Sequence, residues 1–314
     1  MNSTESDPLI SIVICTHNRA TYLGKAMASA LDQDVPAADY ELIVVDNCST
    51  DDTAQVCKSF AAPNLRYVFE GRLGLCHARN AGWKAARGRY VAYLDDDAIA
   101  EPGWLAAIGE AFAVEPTPGV VGGKVDPIWE GPRPGWLPDS IAYSLTIVDW
   151  PGGPKLIPDV RVEWLVGANM AMPKALLEQV GGFDPRLDRI GTNMLSGGDV
   201  FLQKQIIEHG HPCYYHPRMA VRHLVSHARL EKRWFTKRYY WQGISDAVME
   251  LIVERPSALG RLRSALAHTG RLFAKPRDLW NLIIDSDDPQ RFERRCFTLI
   301  AVGHIIGLLG AARA

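Results

Sequence analysis

Three consecutive aspartates, Asp95, Asp96 and Asp97, directly follow the apolar run Tyr90–Leu94. Carboxylates this close repel one another, so a cation or several hydrogen-bond donors must neutralise them. Hard divalent cations prefer carboxylate oxygens, and substrate phosphates commonly complete their coordination shell. The triplet therefore predicts a site for Mg²⁺ or Mn²⁺ that also holds a diphosphate. The alternative is a solvated acidic turn that caps the helix expected near Pro102.

Polar residues also follow the first two apolar runs of the chain. Thr16, Asn18 and Arg19 come after the first run, and Asp46 comes after the second. In open α/β sheets, ligands bind beyond the carboxyl ends of the strands. We therefore expect these side chains to meet the aspartate triplet at one edge of a sheet.

Alternating strands and helices are needed to bring these residues together, and the first hundred residues have that rhythm. Short apolar runs are separated by segments with helical spacing, which is typical of βαβ units. Strands that are continuously apolar belong in a parallel sheet covered on both faces. The expected strands are Ile10–Cys15, Leu42–Val45, Leu65–Phe69 and Tyr90–Leu94.

The remaining two thirds of the chain are less regular. Proline, glycine and tryptophan are frequent in residues 115–158, which predicts irregular surface chain. A strand is expected at Val162–Met172, and helices at Lys174–Val180 and Asp199–His209, each helix ended by glycine. After Val221 the pattern predicts basic helices to the end of the chain.

The composition is that of a globular protein. The 314 residues are 47% apolar and 22% charged, which suits one large domain or two small ones and excludes fibrous or disordered chains. The net charge is −2, yet residues 218–295 hold 16 basic against 9 acidic side chains. The first residues lack a secretory-signal pattern and the six cysteines form no CxxC pair, so we expect reduced cysteines and a cytoplasmic location.

Five segments resemble family 2 glycosyltransferases, in the order found in that family. The resemblance covers residues 9–225 and implies an α/β protein with a GT-A fold, a Rossmann-like sheet flanked by helices. Residues 1–225 would form the nucleotide-sugar-binding and catalytic domain, and residues 226–314 a basic helical C-terminal extension. The segments are SIVICTHNRATYL, ELIVVDNCSTDDT, GLCHARNAGWKAARGRYVAYLDDDA, VGANMAMPKALLEQVGGFD and GGDVFLQKQIIEHG.

The resemblance also implies a reaction. It predicts transfer of a sugar, with inversion, from a nucleotide-diphosphate sugar, here a UDP-sugar, with Mn²⁺ or Mg²⁺ held by an Asp-x-Asp motif. Asp97 matches the direct metal ligand, Asp95 a residue beside the metal, and His223 the histidine that completes the metal shell in many GT-A enzymes. The nucleotide contacts are expected from Thr16, Asn18, Arg19, Asp46, Arg79, Asp95 and Asp96. Arg79 as a helix-surface arginine and His223 as a structural histidine remain alternatives.

The same resemblance suggests a general base. A single displacement needs a group that removes the proton of the acceptor hydroxyl, opposite the leaving group. Asp199 matches this base, although Gly198 stands where the family commonly has glutamate. The alternative for Asp199 is a helix N-terminal acid stabilised by the helix dipole. Trp164, Asn169 and Gly198 are expected to contact the sugar substrates.

The expected acceptor is a saccharide or a lipid-linked saccharide, in the synthesis of a cell-surface polysaccharide or glycoconjugate. The apolar stretch 296–312 is shorter than a membrane-spanning helix. With the arginines before it, this tail predicts either peripheral contact with the inner face of the cell membrane or docking within the protein. No nucleic-acid partner is expected, because the basic residues form no recognisable binding module.

Competing functions differ in the motifs that they require. A sugar-phosphate nucleotidyltransferase would carry a glycine-rich phosphate loop after the first strand, and an NAD-dependent enzyme a GxGxxG motif, but residues 16–19 are Thr-His-Asn-Arg. A catalytically silent saccharide-binding or scaffold protein of the same fold remains the main alternative. Catalysis is favoured because a silent protein has no need for four carboxylates in one cleft, namely Asp46, Asp95, Asp97 and Asp199.

Overall fold

The structure is a computed structural model that describes residues 7–191, 193–274, 276–283 and 286–310. The strands found within these residues are β1 (Ile10–Thr16), β2 (Tyr40–Asp46), β3 (Leu65–Phe69), β4 (Tyr90–Asp95), β5 (Ala98–Ala100), β6 (Val120–Trp129), β7 (Lys155–Ile157), β8 (Asn169–Pro173) and β9 (Cys213–Val225). The α-helices are α1 (Ala20–Leu31), α2 (Thr53–Lys58), α3 (Leu75–Ala85), α4 (Trp104–Phe112), α5 (Asp139–Ala142), α6 (Lys174–Val180), α7 (Gly198–Glu208), α8 (Lys232–Glu254), α9 (Ala258–Phe273), α10 (Pro276–Ile283) and α11 (Pro289–Leu308).

The strands of the described residues form one mixed sheet in the order β3-β2-β1-β4-β8-β6-β9-β5, with β7 paired to β9. β1 is parallel to both β2 and β4, and β2 is parallel to β3. β8 is antiparallel to β4, and β5 is antiparallel to β9. The register pairs Thr16 with Asp46 and Cys15 with Asp95. The polar strand ends therefore meet at one edge of the sheet, as the sequence predicts.

The core forms where apolar strands meet the apolar faces of the helices. Every residue of β2 is buried, and so is every residue of β4 before Asp95. α1 buries Leu23, Met27 and Ala30, which lie on one helical face. The four strands and the helices predicted at α6 and α7 are confirmed, with ends shifted by one or two residues.

Glu41 of β2 is a charged residue within this apolar layer, with 1% of its side chain exposed. Its carboxylate accepts hydrogen bonds from the Ser11 hydroxyl at 2.7 Å, the Arg87 backbone N–H at 2.7 Å and Arg66 Nη1 at 2.8 Å. Burial acts to raise the pKa of Glu41, but the hydrogen bonds outweigh burial and hold the pKa below its ordinary value. The network ties β1, β2 and β3 to the turn before β4.

Two predictions about the middle of the chain are wrong. The strand predicted at Val162–Met172 begins at Asn169, since residues 162–168 form turns and extended chain outside the sheet. The irregular chain predicted for residues 115–158 contains the ten-residue strand β6. Glycine in β6 allows close packing and does not mark a loop, because a Cβ at Gly123 would overlap the carbonyl oxygen of Met219.

The described chain divides into two compact units, which we call the sheet unit and the C-terminal unit. The sheet unit consists of Met1–Ile128, Thr146–Pro185 and Gly198–Leu224, and the C-terminal unit of Trp129–Leu145, Arg186–Gly197 and Val225–Ala314. The sequence predicts helices after Val221, but residues 222–225 instead complete the strand β9, and the predicted helices are confirmed only from Lys232, as α8 to α11. The two-domain division at residue 225 stays a proposal.

Within the C-terminal unit, α8 and α11 pack at backbone distance. A Cβ at Gly243 would overlap the carbonyl oxygen of Ile300, and a Cβ at Gly303 would overlap that of Tyr240. The described part of the apolar tail, to residue 310, therefore lies largely in a helix docked on α8, whereas residues 311 and 312 lie outside the described residues. In the part of the chain that the structure describes, no helix combines the length and the apolar character needed to cross a membrane.

Candidate active site

The aspartate triplet lies where β4 ends and the chain turns into β5. Asp95 is the last residue of β4 and its side chain is 34% exposed, whereas Asp96 and Asp97 are buried. Burial raises the pKa of Asp96 to about 7; the nearby guanidinium of Arg19 acts against this rise, and the Asp97 carboxylate adds to it. The buried pair is therefore held in place by charged neighbours rather than by water.

Arg19 is the cation that neutralises this pair within the protein. It lies just before α1, with Nε 3.0 Å from Asp96 Oδ1 and Nη2 bonded to Asp97 Oδ2. The family resemblance predicts that Arg19 contacts the nucleotide, and the position of Arg19 in the sequence gives no sign of this ion pair. Such a contact joins residues 78 positions apart and depends on the fold.

His223 approaches the triplet from the opposite strand. β9 pairs antiparallel with β5 in a register that sets His223 beside Ala98, next to the aspartates. Its Nε2 lies 3.2 Å from Asp97 Oδ1 and 3.9 Å from Asp95 Oδ2, and the side chain is buried. The structure therefore brings His223 together with both predicted metal-side carboxylates.

Arg79 of α3 is buried and is not a helix-surface arginine. Its Nη2 lies 3.6 Å from Asp95 Oδ1, and its guanidinium stacks over Phe183 at 5.2 Å. Burial acts to lower the pKa of Arg79, but the carboxylates of Asp95 and Asp199 raise it above its usual value. Arg79 therefore stays charged and electrostatically links the triplet to Asp199.

Asp199 lies in the first turn of α7, at the level of this arginine. Its Oδ2 accepts the Gly167 backbone N–H at 3.0 Å, and its Oδ1 the Val200 N–H at 2.9 Å. Both bonds orient the carboxylate, and Gly198 before it is buried at the start of the helix. A Cβ at Gly167 would lie 2.7 Å from Arg79 Cζ, so any larger residue there would require the Arg79 guanidinium to move.

The strand-end residues on the β1–β2 side form a second group. Asp46, buried at the end of β2, accepts hydrogen bonds from the Tyr67 hydroxyl at 2.6 Å and the Ser49 N–H at 2.8 Å. Burial and the Asp46 carboxylate both raise the pKa of Tyr67, which keeps its hydroxyl protonated as a donor. Asn18 has a left-handed φ of 53° and accepts the Thr50 N–H at 2.7 Å.

Two of the residues expected to contact sugar have partners within the protein. Trp164 packs edge to face on Trp150, with ring centroids 5.1 Å apart. Asn169 is fully buried; its amide donates to Met219 O at 2.7 Å and accepts from Trp104 Nε1 at 2.8 Å. These bonds tie β8 to its neighbours, so contact of Asn169 and Trp164 with sugar stays a prediction.

The sequence does not indicate the roles of two residues of the site. Gly167 positions both Asp199 and Arg79, and Tyr67 holds Asp46. The glycine lies in the quoted segment VGANM, but its role is a steric one that no motif reports. Tyr67 lies within the apolar run predicted as β3, and nothing in its spacing marks it as a hydrogen-bond donor.

Asp95, Asp97 and His223 together fit a divalent cation. Each of these residues offers one donor atom, and the three atoms lie within 4.8 Å of one another. Arg19 occupies Asp97 Oδ2, which leaves Oδ1 directed toward the histidine. Two oxygens and one imidazole nitrogen suit Mn²⁺, whereas Mg²⁺ favours oxygen ligands throughout.

Comparisons with known proteins find glycosyltransferases of similar sequence. The sequence model described as glycosyl transferase family 2 matches residues 11–166. Glucosyl-dolichyl phosphate glucuronosyltransferase of Haloferax volcanii is 27% identical over 251 residues, which is 79% of each chain. Validoxylamine A glucosyltransferase of Streptomyces hygroscopicus subsp. jinggangensis is 29% identical over 67% of this chain, and the chain spans about half of that relative, 54%.

Solved structures show the same fold at low sequence identity. Mannosyltransferase PcManGT from Pyrobaculum calidifontis, solved with GDP-Man and Mn²⁺, is 18% identical with a TM-score of 0.59, covering 97% of this chain and 88% of that chain. TarS 1-349 of S. aureus, solved with UDP-GlcNAc, is 19% identical with a TM-score of 0.55, covering 77% and 66%. The fold is GT-A. Together these findings support a family 2 glycosyltransferase, and the chain is a transferase enzyme.

Proposed function

We propose that the protein is an inverting glycosyltransferase that transfers a sugar from a UDP-sugar to a hydroxyl of a saccharide or lipid-linked saccharide. The observation that carries the proposal is the convergence of Asp95, Asp97 and His223 at the carboxyl end of β4, with their donor atoms within 4.8 Å. Ligands of open α/β sheets bind at this edge. The structurally similar proteins that were solved with a nucleotide sugar support a nucleotide-sugar donor.

The nucleotide would lie along the ends of β1 and β2. Asp46 is fixed by Tyr67 and Ser49 and presents a carboxylate suited to a ribose hydroxyl or a base N–H. Thr16 and Asn18 would line the same edge, and Arg19 is within reach of both the aspartates and a phosphate. The guanidinium of Arg19 would change partners from carboxylate to diphosphate as the donor binds.

A divalent cation, Mn²⁺ or Mg²⁺, would be held by Asp97, Asp95 and His223, and Mn²⁺ suits the mixed donor set better. When bound, it would neutralise the charge that develops on the departing diphosphate. Arg79 stays charged beside Asp95 and holds that carboxylate in place by its ion pair.

Asp199 would act as the general base. Its carboxylate is held by the N–H groups of Gly167 and Val200, which fixes one orientation while each oxygen keeps a free lone pair. An acceptor hydroxyl within hydrogen-bond reach would give its proton to this carboxylate as the oxygen attacks the anomeric carbon. Because Gly198 replaces the family's glutamate, Asp199 would work without an adjacent acid.

The proposed acceptor follows from the relatives. The name of the Haloferax volcanii protein mentions glucosyl-dolichyl phosphate, a lipid-linked glucose, which supports a lipid-linked saccharide as the acceptor. The name of the Streptomyces protein mentions validoxylamine A, a small soluble compound. We favour the lipid-linked class, because the first relative matches 79% of each chain.

An exposed apolar surface in the C-terminal unit supports the same acceptor class. Leu259, Leu262, Leu266 and Phe273 of α9 are spaced at helical intervals on one face, and each is at least 46% exposed. Arg263 lies beside this face and is exposed, in a segment with excess basic charge. Exposed apolar side chains next to an arginine suit an anionic lipid surface. The proposed location is therefore the cytoplasmic face of the cell membrane, with contact through α9 rather than through the docked tail.

Vesicle binding tests this surface. Cosedimentation with anionic phosphatidylglycerol vesicles should exceed that with phosphatidylcholine vesicles. A Leu262→Glu/Leu266→Glu variant should lose this binding, whereas Val162→Glu, on an exposed residue of the sheet unit, should keep it. Equal sedimentation of the double variant and the unchanged protein would remove the membrane contact from the proposal.

One variant of the site and one control variant test the transfer reaction. The assay incubates a panel of UDP- and GDP-sugars with short saccharide and lipid-linked acceptors, and measures the nucleoside diphosphate released. Asp199→Asn should bind the donor as the unchanged protein does and lose about 10²–10⁴-fold in turnover. Asp34→Asn, on an exposed residue of the sheet unit, is the matched control. A folded protein that binds no nucleotide in the panel would instead favour the silent scaffold.

A further inference from the structure

A second cluster of metal-ligating side chains lies in the C-terminal unit. Glu250 of α8, His268 of α9 and His304 of α11 each offer one donor atom, and these atoms lie within 4.8 Å of one another. Three separate helices therefore contribute one ligand each. We propose that this Glu250–His268–His304 cluster is a Zn²⁺ site that ties α8, α9 and α11 together.

The geometry of the cluster is close to that of a metal site. His304 Nε2 lies 2.9 Å from Glu250 Oε2, and the rings of His268 and His304 are stacked with centroids 4.5 Å apart and planes 27° apart. Zinc bonds of about 2.0–2.2 Å place two tetrahedral ligands roughly 3.3 Å from each other. Small side-chain rotations bring donor atoms from the observed spacing to that distance.

A neighbouring hydroxyl orients the carboxylate. Ser264 Oγ donates to Glu250 Oε1 at 3.2 Å, which leaves Oε2 directed toward His304. Ser264 lies one helical turn before His268 on α9, so both side chains are on the same face. Metal ligands in proteins usually have such outer partners, which fix their orientation and raise affinity.

The packing around the cluster keeps the three helices in place. The close approach of α8 and α11 at Gly243 and Gly303 fixes the spacing of the two helices that carry Glu250 and His304. Ala247, Ala265 and Leu308 form a buried apolar group in the same unit, one from each of the three helices. Low-dielectric surroundings strengthen the attraction between a carboxylate and a divalent cation.

The donor chemistry distinguishes this cluster from the candidate metal site in the sheet unit. One carboxylate oxygen and two imidazole nitrogens suit Zn²⁺, with water in the fourth position. Two carboxylates and one imidazole, at Asp95, Asp97 and His223, suit Mn²⁺ better. The two sites are therefore expected to select different metals in the same chain.

Cobalt binding tests the proposal, because Co²⁺ replaces Zn²⁺ and absorbs visible light strongly when tetrahedral. The full-length chain is stripped of metal, saturated with Mn²⁺ and titrated with Co²⁺. The absorption should appear and be removed by Zn²⁺. His268→Gln and His304→Gln should abolish it and lower Zn²⁺ affinity by more than about tenfold. His209→Gln, on an exposed histidine of the sheet unit, and Asp97→Asn should leave it unchanged.

Other results would overturn the site. These are the absence of tetrahedral Co²⁺ absorption in the unchanged protein, its persistence in both histidine variants, or its loss in Asp97→Asn. If circular dichroism shows that the histidine variants are unfolded, the Zn²⁺ affinity of Ser264→Ala tests the site instead, since this substitution removes no ligand. A Zn²⁺ affinity about tenfold lower in folded Ser264→Ala supports the site, and an unchanged affinity overturns it.

Discussion

Replacing Gly167 with alanine should disable the candidate active site while leaving the fold in place. The added Cβ would lie 2.7 Å from Arg79 Cζ and 2.8 Å from Nη1, well inside van der Waals contact. Arg79 is buried over Phe183 and paired with Asp95, so its guanidinium has little room to yield. Overpacking of this kind costs about 1–3 kcal/mol in the free energy of unfolding.

The effect on catalysis should exceed the effect on stability. Displacement of Arg79 by about 1 Å would disturb both Asp95 and the Gly167 N–H bond to Asp199, and such misplacement commonly costs about 10²-fold in rate. The assays are urea unfolding and the kcat/KM of sugar transfer. Gly109→Ala in α4 is the control, because its Cβ meets no atom within 4 Å and a helical alanine adds about 0.5–1 kcal/mol of stability. Unchanged kcat/KM and stability in Gly167→Ala would refute the reasoning.

Three further substitutions follow from the packing. Glu41→Gln should lower the free energy of unfolding by about 2 kcal/mol near pH 7, because it breaks a buried ion pair, although the half-exposed Arg66 and Arg87 recover part of the loss in water. The pKa of Glu41 in the folded protein lies below its ordinary 4.5, so the carboxylate stabilises the fold above that pH. Urea unfolding should therefore show the difference between variant and unchanged protein shrinking as the pH falls below 4.5. Tyr67→Phe should cost about 1 kcal/mol by removing the bond to Asp46, measured in the same way. Gly243→Ala should lower the thermal midpoint of the protein, whereas Gly270→Ala, which meets no atom within 4 Å, should not.

The sequence alone predicts the β1–β4 half of the sheet well, because local patterns determine it. Continuous apolar runs give four parallel strands, and their polar ends give Thr16, Asp46 and Asp95 at one edge. The prediction fails for β6, since its glycines and proline match the composition of a loop. Only the close approach of Met219 to Gly123 explains why glycine is needed in that strand.

The contacts within the site depend on tertiary structure and are less accessible to sequence reasoning. The motif identifies Asp97 and Asp199, but not the ion pair of Arg19 with the triplet or the position of Arg79 beside Asp95. Arg19 and Asp97 lie 78 positions apart, and Arg79 and Asp95 lie on different elements, so the periodicity of one helix or strand indicates neither contact. The cluster at Glu250 is likewise spread over three helices, and its residue spacing matches no metal motif.

Calorimetric titration of UDP, with and without Mn²⁺, tests whether the protein has a metal-dependent nucleotide site; the proteins compared are the unchanged protein, Asp97→Asn and Asp34→Asn. Mn²⁺ should strengthen UDP binding to the unchanged protein and to Asp34→Asn. Asp97→Asn should lose this dependence, because Asp97 lies between His223 and Arg19 at the proposed metal site. Equal Mn²⁺-dependent binding by Asp97→Asn would rule out this role of Asp97, and UDP binding that Mn²⁺ leaves unchanged in all three proteins would rule out the metal site.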